Sequence, residues 1–109
     1  MMIVEDLCRN NTIGDVDYKY SYRITKNNYK DIQVYGIEVE RLDYRGNLLV
    51  NIERDSVRLI SPQIKKVQDL LKLLYDNLIS PIHLVDIIGV YVDEYVKDFE
   101  INNLEAIIN

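Results

Sequence analysis

The sequence predicts an α+β domain: a four-stranded antiparallel meander with one face covered by a C-terminal two-helix hairpin. The first half alternates polar and apolar residues with period two, as half-buried strands do. The second half repeats apolar residues at three-four spacing, as amphipathic helices do. A Ser-Pro pair stands before each helical stretch, at Ser61-Pro62 and Ser80-Pro81, which is helix-start chemistry.

The strands are expected at about 2–13, 16–25, 32–43 and 48–59. Gly14-Asp15 suits a two-residue II′ hairpin between the first two. Tyr18, Tyr20, Tyr22 and Ile24 alternate with Lys19, Ser21 and Arg23, and Tyr35, Ile37 and Val39 alternate with Gly36, Glu38 and Glu40. A loop over Lys26–Asp31 would set Thr25 opposite Ile32, Tyr22 opposite Tyr35, Tyr20 opposite Ile37, and Lys19 opposite Glu38. Arg45-Gly46 closes the last hairpin, with Asp43 opposite Leu48, Val39 opposite Ile52 and Glu38 opposite Glu53. In this register the tyrosines and Leu48, Val50 and Ile52 share the buried face, and Glu38, Glu40, Glu53 and Asp55 share the other.

Helices are expected at about 62–77 and 81–97. The first carries Ile64, Val67, Leu71, Leu74 and Leu78, widened by Leu70 and Leu73. The second carries Ile82, Val85, Gly89, Val92 and Val96, widened by Leu84, Ile88 and Tyr91. The short link forces an antiparallel hairpin, and the broad apolar faces suit helices that touch a sheet and each other. In the tail, 99–109, Asn102 or Asn103 is positioned to cap a short last helix.

A chain of 109 residues fits one domain, 1–109, and its 48% apolar and 28% charged content is that of a globular protein. The single cysteine, Cys8, cannot form an internal disulfide and is expected to be a buried or half-buried, inert thiol. Arg9, its one basic neighbour, should point to the opposite face of the strand. The start of the chain lacks an export signal, and no apolar run reaches the ~20 residues of a membrane span, so the expected location is the cytoplasm. The net charge of −5 disfavours nucleic acid and anionic membranes as partners.

The stretch Asn51-Ile52-Glu53-Arg54-Asp55-Ser56-Val57, running into Leu59-Ile60-Ser61-Pro62, and the stretch Ser80-Pro81-Ile82-His83-Leu84 with Asp86-Ile87 and Tyr95, resemble a family of small uncharacterised proteins from anaerobic spore-forming bacteria. The resemblance implies a free-standing bacterial cytosolic protein and offers no catalytic residues to carry over.

Phosphate loops, GxSxG and HExxH are missing from the sequence, and one histidine and one cysteine give a nucleophilic hydrolase little to work with. The weak candidates are these. His83 and Asp86, three apart on a helix, offer two metal ligands without a third. Glu38 and Glu53 offer a carboxylate pair for acid–base work or a cation. Tyr18, Tyr20, Tyr22 and Tyr35 would stack single-stranded bases only if exposed. Lys65, Lys66 and Lys72 form a basic patch partly matched by Asp69 and Asp76 at i+4. No catalytic residue and no cofactor is expected. The leading expectation is a non-enzymatic binding or regulatory module that contacts another protein and pairs as a homodimer. Val90, Ile107 and Ile108 are the candidate interaction surface. A divalent-cation enzyme on the carboxylate face and a single-strand binder on the tyrosines are the alternatives.

Overall fold

In a computed structural model of the chain, which describes the backbone of residues 2–108 and the side chains of residues 2–99, four strands pair antiparallel in sequence order. They are β1 (Met2–Ile13), β2 (Val16–Tyr29), β3 (Ile32–Arg45) and β4 (Leu48–Ser61). Helix α1 (Ile64–Asp76), a 3-10 turn (Pro81–His83) and helix α2 (Leu84–Ile108) follow and pack against the sheet. This is the α+β meander with two covering helices that the sequence predicts.

The tyrosine face is the covered one. Tyr20, Tyr22, Ile24, Ile37 and Val39 are buried beneath Val67, Leu70, Leu71 and Leu74 of α1 and Leu84 and Ile88 of α2. Of the four tyrosines, Tyr20 and Tyr22 are buried in the core and Tyr18 and Tyr35 partly buried against it; the Tyr22 hydroxyl donates to the Ile79 carbonyl at 2.9 Å, tying the inter-helix link to the sheet.

The strand registers differ from expectation in two instructive ways. Between β2 and β3, Tyr22 faces Val39 and not Tyr35, a displacement of four residues. The strands run on to Tyr29 and Ile32 and close in a two-residue turn, with Lys30 at φ 49° and Asp31 at φ 65°. Two left-handed residues make a I′ turn, whose twist matches the strands. An even displacement keeps every side chain on its expected face, so the same residues of β2 and β3 form the core. Lys19 consequently faces Leu42, and Glu38 faces Arg23.

Between β3 and β4 the displacement is odd. Arg45 faces Leu48 across Gly46-Asn47, and a bulge at Val50 then moves the register, so that Asp43 faces Asn51 and Val39 faces Asp55. One extra residue in a strand turns all later side chains over. Glu53 and Asp55 therefore lie on the helix-bearing side and Ile52 on the open side, while Leu48 and Leu49, ahead of the bulge, and Val50 at it are also exposed. A second irregularity brings the Arg58 backbone over Gly36, where any Cβ would overlap the Arg58 carbonyl. Asn27 donates to that same carbonyl at 3.0 Å.

The helices cover only part of the sheet. A 14-residue strand spans about 46 Å, whereas the 13 residues of α1 span about 20 Å. The half near Gly14 and Gly46 therefore extends beyond them. Helix α1 ends in a Schellman motif: Leu78, at φ 50°, donates its N–H to Tyr75, and Ile79 donates to Leu74.

Two further expectations need correction. Helix α1 begins at Ile64 with Gln63 at its N-cap and no side-chain cap, so Ser61 and Pro62 lie ahead of the helix, where the Ser61 hydroxyl accepts the Gln63 N–H. Helix α2 passes the expected stop at 97 and continues unbroken to Ile108. Its inward residues are Leu84 and Ile88, with Val92 and Tyr95 partly buried. Ile82, Val85 and Val96, expected inward, are exposed instead.

Candidate interaction surface

The carboxylates are distributed over two faces; Glu38, Glu40, Asp43 and Glu53 each have an arginine beside them, and Asp55 accepts the Ser56 N–H at 2.8 Å. On the open sheet face, Arg23 lies between Glu38 at 2.8 Å and Glu40 at 3.2 Å, and its Nε reaches Asp6 at 3.4 Å. Arg54 meets Glu40 from the other side, its Nε at 2.8 Å. Burial pushes the Glu40 carboxyl up, but hydrogen bonds from Arg54 and Arg23 outweigh it and hold the group below its ordinary range. On the helix-bearing face, Arg41 donates twice to Asp43, at 2.8 and 3.0 Å, and stands 3.4 Å from Glu53. Burial raises Asp43, and the bonds from Arg41 and Asn51 lower it further than burial raises it.

The expected Glu38–Glu53 pair is thus not assembled. Its members occupy opposite faces, and each has an arginine beside it. Carboxylates engaged by bidentate or paired guanidinium groups have their acceptor positions committed, which suits a rigid surface more than proton transfer. His83, in the 3-10 turn, and Asp86, in the first turn of α2, are both exposed. Among the described residues, no group of three or more His, Cys, Asp or Glu gathers at metal-ligand distance.

Cys8 is exposed, contrary to expectation, with its sulfur 3.7 Å from both an Asp6 carboxylate oxygen and the Ser21 hydroxyl. Arg9 points to the other side of the strand, as alternation requires, where it donates to the Tyr75 carbonyl at 2.6 Å and lies over the Tyr75 ring. The lysine patch resolves into i,i+4 pairs, Lys65–Asp69 and Lys72–Asp76, each at 2.6 Å. Lys66 instead crosses to α2 and binds the buried Asp98 carboxylate. Asp98 also accepts the Ser61 hydroxyl at 2.8 Å. No local spacing signals this contact, because Ser61 and Asp98 belong to different elements.

Exposed apolar residues lie on β1 (Met2, Ile3, Val4 and Ile13), on β4 and along α2. Val90 is 73% exposed, as its outward position predicts, and Ile82 is 72% exposed. Val85 and Val96 add to them, and a shallow groove runs between α2 and β4, lined by Val57, Val85, Ile88, Gly89, Val92 and Asp93. Sequence reasoning missed this flank because Val85, Gly89, Val92 and Val96 recur at core-like spacing. Ile107 and Ile108 lie outside the residues whose side chains are described. No helix among the described residues is long and apolar enough to cross a membrane.

An α+β meander roofed by two helices, with its half-buried charges largely paired and one helix apolar on more than its inner side, is the class these features define. The chain belongs to a family of unknown function, DUF6514, whose model matches residues 1–94 and so takes in the whole sheet, α1 and the first part of α2. Comparison with the curated proteins and with the solved structures finds no match.

Proposed function

We propose that this protein is a non-enzymatic binding or regulatory module of the bacterial cytoplasm, acting through protein–protein contact on the outer flank of α2. The observation that carries this reading is the second apolar stripe of that helix. Leu84 and Ile88 already fill the core, yet Val85, which lines the groove over Val57, is 53% exposed, and Val96, about three turns further along the helix, is 50% exposed. Contiguous exposed apolar side chains along one helix flank are characteristic of interaction surfaces. The paired carboxylates support the same reading, since each spends its acceptor capacity on an arginine.

The test is a photo-crosslinking residue placed at Val85 and, as a control, at the exposed Asn10 on the far face of the sheet. In the native cell, Val85 should yield a discrete protein adduct that Asn10 does not, and Val96→Asp should abolish it. Identical crosslinking from the two positions, or none from Val85, would overturn the reading.

A further inference from the structure

We propose that two copies of this chain pair edge to edge through β1, about a twofold axis at Leu7, to make one continuous eight-stranded sheet. This surface is separate from the α2 flank.

The meander leaves two strand edges, β1 and β4. Antiparallel self-pairing sets each residue opposite one on the same sheet face, so the charge pattern of each edge decides whether it accepts its own copy. About Leu7, Glu5 lies opposite Arg9 of the partner subunit, twice by symmetry, with leucine against leucine between them. Moving the axis to Asp6 sets two aspartates face to face. Moving it to Cys8 sets Leu7 against a guanidinium. The charged axes of the β4 edge oppose like charges: about Arg54 arginine meets arginine and Glu53 meets Asp55, about Glu53 glutamate meets glutamate, and about Asp55 aspartate meets aspartate; its apolar axes, Ile52 and Val57, bring no opposite charges together as Leu7 does. Like charges directly opposite are destabilising.

A second observation points to the same edge. Arg23, Glu38, Glu40, Arg41, Asp43 and Asp98 all meet an opposite charge within the chain. Glu5 and Arg9, although half-buried, make no ion pair among the described residues. Glu5 receives only the Gln68 amide at 3.3 Å, and Arg9 spends Nη1 on the carbonyls of Tyr75 and Asp76. Both lie on the helix-bearing face with Leu7, held in place by α1 and set at the strand edge. The bulge at Val4 bounds the paired segment, leaving Glu5–Arg9 as its regular core.

The experiment uses the full chain at 1–100 µM, concentrations chosen to span ordinary dimer affinities of roughly that order. Sedimentation equilibrium should give a dimer. Glu5→Arg should shift it to monomer, weakening association at least tenfold, and the charge exchange Glu5→Arg with Arg9→Glu should restore it. Circular dichroism and thermal melts check that each variant folds. Independently, Asp6→Cys puts a thiol directly opposite Cys8 of the partner subunit in this register, so mild oxidation should give a disulfide-linked dimer. A monomer mass throughout would overturn the proposal. So would a dimer indifferent to Glu5→Arg, a dimer lost to Val96→Asp instead, or the absence of a crosslinked species from Asp6→Cys.

Discussion

The Ser61 hydroxyl donates to the Asp98 carboxylate at 2.8 Å, joining the last residue of β4 to the middle of α2. Lys66 completes the contact from α1 at 2.8 and 2.9 Å. Three elements thus meet at one buried carboxylate, and this contact sets α2 against α1. Asp98→Ala leaves the Ser61 hydroxyl, which is fully buried, without its acceptor. The expected cost is about 1–3 kcal/mol, with Lys66 regaining water because it is partly exposed. Thermal unfolding should show a fall of roughly 5–15 °C. Lys65→Ala, at an exposed i,i+4 pair, should leave the midpoint almost unchanged.

Gly36 and Gly89 should respond to alanine with opposite signs. At Gly36 a Cβ meets the Arg58 backbone, which cannot move without breaking the β3–β4 pairing. Gly36→Ala should destabilise by about 2–4 kcal/mol. At Gly89 nothing lies within 4 Å of the added carbon. Gly89→Ala should stabilise by about 0.5–1 kcal/mol through helix propensity. Denaturant midpoints of the two variants test both.

Acid should weaken the fold through Glu40 and Asp43. Burial raises both carboxyls, but the arginine hydrogen bonds prevail and depress them below their ordinary range. A depressed folded pKa means that the unfolded chain takes up the proton first. The stabilisation is then present above the ordinary carboxylate range of about 4 and is lost as pH falls through the folded values. Stability measured between about pH 6 and 2 should fall on its acid side. Glu40→Gln should be less stable at neutral pH, and its acid limb should be shallower. An unchanged slope in both Glu40→Gln and Asp43→Asn would assign the acid sensitivity to other groups.

The Lys30-Asp31 turn holds two ordinary residues at positive φ. Type I′ turns favour Asn-Gly at these places. Lys30→Asn combined with Asp31→Gly should stabilise by about 0.5–1.5 kcal/mol, less the small loss of the Lys30 contact over the Tyr29 ring. Equilibrium unfolding of the double variant checks this; a lower midpoint would contradict the turn assignment.

Alternation of Tyr18 to Ile24 and of Tyr35 to Val39, the Gly14 turn and the change to three-four apolar spacing after Pro62 were enough to determine the class, the strand order and the buried tyrosine face. These are local properties: side-chain period and backbone preference act within a few residues. Tertiary structure alone decided the pairing of β4, because a single bulge residue at Val50 reverses every later side chain while leaving the alternation itself intact. It therefore decided that Glu38 and Glu53 part company and that Ile52 turns to the open face; the packing of the helices over only part of the sheet decided that Leu48 stays exposed and that Val85 and Val96 face outward where their spacing suggested core. It also decided the contacts of Asp98 and Arg41, since a charge finds its partner across elements through the packing of those elements and not through its distance along the chain.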